Sequence, residues 1–291
     1  NYNKKNLNLS GIIDLTNSKV KLSRLNYKKD NNKPSEVSFD LNFKPNKYYN
    51  IKRLNFLADK TNIDLLNVKL NRRFEVVDLK KIKVKTFLAN IKNNDFLVEK
   101  LKEIVVSGEV FDAHSLLKSL YKKGDKKIFS NDFNSKIKVN FKKTLTGTDD
   151  DVSNFAMIAS INKGSYNKLS LKGNFSKNEI IEMSIYQIDN NKKTLQVISD
   201  RARPFIKNFN FVKGFEEGKL EYESTITKEG SNSNLLITDF KVSKVPALTQ
   251  LLTLASLQGI ADTLTGEGIR FDELEMDFNS KETEKNVINI E

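Results

Sequence analysis

The sequence predicts a mainly β chain with short helices, an α+β fold class built on an antiparallel sheet. Apolar residues recur at every second position with lysine or polar residues between them, which places one face of each strand in an apolar environment and the other in water. Turn-forming Asn, Lys, Gly and Asp residues separate these segments at intervals of roughly ten to fifteen residues, which indicates an antiparallel meander rather than βαβ units. The alternating segments are 19–25, 37–43, 81–85, 136–141, 169–175, 181–185 and 235–240, and the turns are 29–34, 44–47, 189–193 and 228–234.

Three segments have helical spacing instead, and each follows a predicted strand. They are 112–123, 201–211 and the stretch beginning near residue 246. The third has no charged residue from Val245 to Ala261, and Pro246 suits the first turn of a helix because its missing N–H is not needed there. The apolar stripe is so broad that most of the predicted helix must be covered. Its leucine and isoleucine residues are Leu248, Leu251, Leu252, Leu254, Leu257, Ile260 and Leu264.

A predicted tight turn and a strand follow this helix. Gly266 and Gly268 end the helical pattern, and residues 271–278 return to period two. Leu274, Met276 and Phe278 share one face of this strand, and Glu273, Glu275 and Asp277 share the other. The carboxylates are predicted to be cross-strand charge partners of lysine-rich neighbours rather than acid–base catalysts.

The composition and charge of the chain exclude several classes of function. The 291 residues suffice for one large β domain or two ordinary ones, and the absence of cysteine excludes disulfides and thiolate chemistry. The net charge of +12 comes mostly from lysines spread along the chain, which predicts a solvated coat rather than a nucleic-acid interface with clustered arginine and aromatic residues. No apolar run reaches the roughly 18 residues expected of a membrane span.

Candidate catalytic and metal-ligating residues are few. The one histidine, His114, is expected at a helix end, since Asp112 two residues away would face elsewhere on a helix. The Asp149–Asp151 run lacks the spacing of a calcium loop, and the Gly266–Gly268 turn lacks the residues of a phosphate loop. We therefore predict a protein that is not an enzyme and that uses no metal or cofactor.

One segment resembles a known family. Residues 238–278 are similar to the C-terminal region of the AsmA-like bacterial proteins, in particular the large YhdP-type members, and 107–117 and 214–226 resemble other elements of that family. The segment 240–280 is the most family-specific. The residues that carry the resemblance are Phe240, Pro246, Leu251, Leu252, Ala255, Ser256, Leu257, Gly259, Leu264, Gly266, Gly268, Ile269 and Phe271.

The resemblance implies that residues 1–291 form a single elongated fragment of a longer protein. The family is anchored in the inner membrane of diderm bacteria, with its body in the periplasm. Its long curved antiparallel sheet is thought to form an open apolar groove that carries phospholipid toward the outer membrane, and here the 246–264 helix would pack on that sheet. The membrane anchor would lie outside this fragment.

The alternation of the strands favours the same function. A sheet with one apolar face needs that face covered, and the sequence predicts only three short helices to cover it. An uncovered apolar face can bind acyl chains. The predicted groove residues are Leu248, Leu251, Leu252, Leu254, Leu257, Ile260, Leu264, Leu274, Met276 and Phe278, with Pro246, Gly259, Gly266 and Gly268 as structural turn residues. The alternative is ordinary core packing in a periplasmic scaffold or outer-membrane assembly factor with a closed, dry core.

Overall fold

The computed structural model describes residues 7–44, 48–119, 128–189, 191–206, 213–244, 268–281 and 287–290. These residues confirm the predicted fold class, a mainly β chain with a large sheet and short helices. The helices are α1 (His114–Ser119) and α2 (Arg203–Ile206), with a 3-10 turn at Ser23–Leu25. The strands are β1 (Leu7–Asp14), β2 (Val20–Leu22), β3 (Tyr27–Lys29), β4 (Glu36–Lys44), β5 (Tyr48–Ala58), β6 (Thr61–Leu70), β7 (Val76–Asp78), β8 (Lys81–Leu88), β9 (Ile91–Lys100), β10 (Ile104–Asp112), β11 (Ser135–Leu145), β12 (Val152–Asn162), β13 (Ser165–Asn174), β14 (Ile180–Gln187), β15 (Lys193–Ser199), β16 (Lys213–Ile226), β17 (Gly230–Lys244), β18 (Ile269–Lys281) and β19 (Val287–Ile290).

The chain divides into two compact units. The N-terminal unit comprises residues 1–145 and 154–167, and the C-terminal unit comprises residues 146–153 and 168–291.

In the N-terminal unit, hydrogen-bonded pairs run in the order β1–β4–β5–β6–β8–β9–β10–β11, with β7 paired to β6. Each pair is antiparallel except β10–β11, which is parallel. The meander prediction is wrong at this step because the connection from β10 to β11 is long and contains α1. A crossover of that length can return the chain to the same end of the sheet, which parallel pairing requires.

The apolar face of the N-terminal unit is covered by residues 15–29. Tyr27, Phe56 and Val84 are each at most 6% exposed, and the Tyr27 and Phe56 rings meet edge to face at 6.0 Å. Leu22 and Leu25 pack on the same cluster from the covering segment. This part of the sheet therefore has a dry core of the ordinary globular kind.

Buried polar side chains hold residues 15–29, the covering segment, on the sheet. Asn94 donates to the Leu25 carbonyl at 2.8 Å, and Asn93 donates to the Asp112 carboxylate at 3.0 Å. Asn26, with a left-handed φ of 48°, donates to the same carboxylate at 2.8 Å. Asp112, Asn93 and Asn94 are at most 3% exposed, so these hydrogen bonds satisfy polar groups that are buried away from water.

The buried ammonium group of Lys29 joins the two ends of the segment 15–33. The Lys29 ammonium, on a residue only 6% exposed, donates to the carbonyls of Leu15 at 2.8 Å, Lys33 at 2.9 Å and Thr16 at 3.2 Å. Three donors meeting three carbonyls match the full capacity of an ammonium group. Residues 15–33 are thereby held as one loop.

In the C-terminal unit, antiparallel pairs run in the order β13–β14–β15–β16–β17–β18–β19. The predicted turn at 228–234 is too long, because β17 already begins at Gly230. Its polar residues find partners within the sheet: Ser233 donates to Ser224 at 2.8 Å and Asn234 to Glu275 at 2.6 Å. Side-chain hydrogen bonds across strands thus outweigh the turn preference of Ser and Asn.

Both described helices begin two residues later than predicted. Helix α1 begins at His114 because Asp112 caps it, with the His114 N–H donating to the Asp112 carboxylate at 3.1 Å. Helix α2 begins at Arg203 rather than at 201. The remainders of these predictions, 120–123 and 207–211, lie outside the described residues, as does the predicted helix at 246–264.

Candidate functional site

The predicted groove residues fall into two groups. Leu274, Met276 and Phe278 lie on β18 and share one face of the C-terminal sheet, as predicted. Gly268 precedes that strand with a φ of 90°, and a Cβ there would lie 2.8 Å from the Val242 carbonyl oxygen, so the turn requires glycine. The other predicted residues lie outside the described residues: Pro246, Leu248, Leu251, Leu252, Leu254, Leu257, Gly259, Ile260, Leu264 and Gly266.

Cross-strand register joins the β18 residues to a continuous apolar surface. Met276 lies opposite Leu235, and Leu274 lies opposite Ile237. Residues directly opposite in an antiparallel pair point to the same side of the sheet, so the surface can be followed across six adjacent strands. We call it the C-terminal apolar face; its members are Leu169, Leu171, Met183, Ile185, Leu195, Val197, Leu220, Tyr222, Leu235, Ile237, Leu274, Met276 and Phe278.

Side-chain burial on this face decreases from its centre toward the β13 side. Ile237 is 0% exposed and Met276 is 3% exposed. Leu171, Met183 and Leu195, on the three strands at the β13 side, are only partly buried. The face therefore combines a packed centre with a flank whose apolar side chains remain accessible to a ligand.

Helix α2 covers one end of the C-terminal unit. Ala202, Phe205 and Ile206 are buried there, and the Ala202 N–H donates to the Gly218 carbonyl at 2.7 Å. Stacked rings of Phe215 and Phe240, 5.2 Å apart, lie in the buried core of the same unit. This end is packed as a core rather than open.

The Asp149–Asp151 run holds the chain that leads into α2. Arg203 donates to Asp149 at 2.7 Å and pairs with Asp150 at 2.9 Å, and Arg201 donates to Glu179 at 2.9 Å. The hydrogen bond from Arg201 lowers the pKa of the Glu179 carboxyl below its ordinary value. Arg203, together with Arg201 at 3.9 Å from Asp150, thus binds this acidic turn, a partnership that the sequence pattern did not indicate.

The acidic row on β18 differs from its prediction. Glu275 lies opposite Leu236 and Asp277 opposite Asn234, and the Asn234 amide donates to both carboxylates, at 2.6 and 3.1 Å. The cross-strand partner is therefore an amide rather than a lysine, because the lysines of β17 lie at its far end. Glu221 and Glu223 approach the same residues from β16.

A concavity of about 710 Å³ lies against this polar face of the C-terminal unit. Glu223 and Asp277 line it, together with Gln196, whose amide donates to Glu223 at 2.9 Å. Carboxylates would repel the phosphate of a phospholipid and would be costly beside an acyl chain. The opposite, apolar face is consequently the better candidate for an apolar ligand.

The Asp149–Asp151 run and Asp112 have structural partners in the part of the chain that the structure describes. Within the described ranges, His, Asp and Glu side chains form no group of three or more that could hold a metal ion. Asp112 serves as a helix cap and as the acceptor of the buried network, which assigns it a structural role. Across the same residues, no helix has both the length and the apolar character needed to cross a membrane.

Comparison of the chain with family models, with curated protein sequences and with solved structures finds no match.

Sequence reasoning found the β18 part of the apolar face but not its continuation onto β15 and β16. The signal was present as the alternation of Leu195 and Val197 and of Leu220 and Tyr222, both on the same face once the strands pair. Periodicity within one strand does not give the register between strands, so these residues could not be joined to Met276 from the sequence.

Proposed function

We propose that this chain is part of an AsmA-like envelope protein and that its C-terminal apolar face binds phospholipid acyl chains during transport between the inner and outer membranes. The observation that carries the proposal is the accessible flank of that face, where Leu171, Met183 and Leu195 are only partly buried. In this proposal the protein resides in the periplasm, and an anchor outside residues 1–291 attaches it to the inner membrane.

The chemistry of binding needs no reacting group. Each acyl methylene removed from water contributes about 0.8 kcal/mol, so a chain lying along several strands would be held by contact area alone. A headgroup would remain in water at the margin of the face, because burying its phosphate without partners is costly. Movement of lipid along the face would exchange one set of methylene contacts for an equivalent set.

The matched test uses two residues of β15 that face opposite ways. Leu195 belongs to the apolar face, whereas Ile198 is 51% exposed on the polar face. We expect phospholipid to co-purify with the unmodified chain and with Ile198→Asp, and Leu195→Asp to retain about tenfold less because the carboxylate must lose its hydration against an acyl chain. Mass spectrometry of extracted lipid measures the difference, with thermal unfolding curves as the control for folding.

A second function, a non-enzymatic scaffold or assembly factor with a dry core, is favoured by the N-terminal unit. There Tyr27, Phe56 and Val84 are sealed under residues 15–29, which leaves their surface unavailable to lipid. If the unmodified chain carries no phospholipid and Leu195→Asp merely unfolds, the lipid proposal is wrong and a dry core, as a scaffold would have, is favoured.

A further inference from the structure

Phe74, in the loop that follows β6, is a large apolar side chain that the fold leaves in water. It is 68% exposed, and its ring stacks on the Tyr49 ring with the centroids 5.1 Å apart. Its φ is 61°, in the left-handed region that a bulky residue rarely adopts. Such a conformation persists only where the surrounding structure determines it, and residues of this kind cluster at functional positions.

Asn71 determines the conformation of the loop that carries Phe74. Its side-chain oxygen accepts from the Arg73 N–H at 2.9 Å and from the Glu75 N–H at 3.0 Å. Its backbone carbonyl accepts from the Phe74 N–H at 3.0 Å, and its side-chain amide donates to the Glu75 carboxylate at 2.7 Å. The exposed ring is therefore held by a well-bonded loop.

A second exposed apolar residue, Leu101, lies at the same end of the sheet in the N-terminal unit. It is 72% exposed and directly follows β9. Because β8 pairs antiparallel with both β6 and β9, the last residues of β6 and of β9 lie at one end of the sheet. The Lys100 N–H donates to the Lys80 carbonyl at 2.9 Å, which joins the two segments there. We call residues 71–80 and 100–103 the basic end.

The basic end carries an excess of positive charge. It contains five basic side chains against three carboxylates. Two of the carboxylates already have cationic partners, since Asp78 pairs with Lys100, and Glu103 pairs with Lys138 at 2.6 Å. The basic side chains are Arg72, Arg73, Lys80, Lys100 and Lys102, all of them exposed. A surface that combines exposed apolar residues with clustered positive charge is typical of a binding site for an anionic partner.

We propose that the basic end binds the surface of a bilayer that contains anionic phospholipid. Phe74 and Leu101 enter the interfacial layer, and the arginines next to Phe74 lie among the lipid phosphates. A leucine has no ring to stack on a nucleic-acid base, so the two exposed apolar residues together favour a bilayer over a nucleic acid. This contact goes beyond acyl-chain binding by the C-terminal apolar face, and either proposal can fail without the other.

Co-sedimentation of the full chain with vesicles tests the apolar contribution. The vesicles consist of equal parts of phosphatidylglycerol and phosphatidylcholine. We expect Phe74→Asn, which keeps a residue that tolerates the left-handed φ, and Leu101→Ser each to lower the vesicle partition coefficient about tenfold. Ile91→Ser is the matched control, because Ile91 is 70% exposed at the opposite end of β9, and it should leave binding unchanged. Thermal unfolding curves check that each variant is folded.

Removal of one positive charge tests the electrostatic contribution. We expect Arg73→Gln to lower the partition coefficient about fivefold. Lys60→Gln, in the exposed turn between β5 and β6 at the opposite end of the sheet, should leave it unchanged. The proposal would be overturned by equal losses for Leu101→Ser and Ile91→Ser or by no co-sedimentation with these vesicles. Binding of single-stranded DNA in place of the vesicles would overturn it as well, and would assign the basic end to a nucleic acid.

Discussion

Replacement of Asp112 by alanine is expected to lower the free energy of unfolding by about 3–4 kcal/mol, one of the two largest effects in this chain. Its carboxylate accepts from Asn26 at 2.8 Å, from Asn93 at 3.0 Å and from the His114 N–H at 3.1 Å. Alanine leaves the buried amide of Asn93 and the half-buried amide of Asn26 short of an acceptor, and it removes the cap of α1. Urea unfolding followed by circular dichroism measures the loss.

Two further variants separate the causes. Asp112→Asn keeps one carbonyl oxygen in the same place, so its loss should be smaller than that of alanine. Asp40→Ala removes an aspartate whose side chain is 46% exposed and 3.7 Å from Lys52, and it should cost less than about 1 kcal/mol. Equal losses for Asp112→Ala and Asp40→Ala would mean that the buried network does not hold the cover.

Gly108→Ala is the second large effect, with an expected loss of about 3 kcal/mol from overpacking. A Cβ at Gly108 would lie 2.3 Å from the Asp95 carbonyl oxygen and 2.5 Å from the Phe96 Cβ, so backbone must move. The glycine also lets the rings of Phe96 and Phe141, its neighbours in register on β9 and β11, meet at 5.8 Å.

Gly11→Ala is the matched control, because it is also a strand glycine in the N-terminal unit. Its Cβ would approach only the Phe39 ring, at 3.4 Å, which is ordinary contact. We expect this variant to be within about 0.5 kcal/mol of the unmodified chain. The prediction for Gly108 is wrong if both variants unfold at the same urea concentration.

Strand identity could be read from the sequence because the two faces of each strand differ in chemistry. The alternation of 37–43, 81–85 and 136–141 predicts β4, β8 and β11, and the structure has them. Their neighbours were predictable as well, since short polar turns force consecutive strands to pair. The parallel β10–β11 pair was not, because nothing in the alternation shows that the chain crosses over between them.

The covering segment is the feature that sequence reasoning missed. Residues 15–29 contain only short apolar runs, and their position over the sheet depends on hydrogen bonds from Asn93 and Asn94, nearly 70 residues away. Side-chain amides in a strand look like solvent-facing residues in a sequence. These amides are buried because Leu25 and Asp112 come next to them in the fold and supply hydrogen-bond partners.

Contact between the C-terminal apolar face and acyl chains can be measured directly by fluorescence. The chain has no tryptophan, so Leu195→Trp and Ile198→Trp each place a single reporter on one side of β15. The measurement is quenching of tryptophan fluorescence by phospholipid with brominated acyl chains. We expect strong quenching for Leu195→Trp and little for Ile198→Trp; equal quenching of both, or none of either, would show that acyl chains do not bind this face.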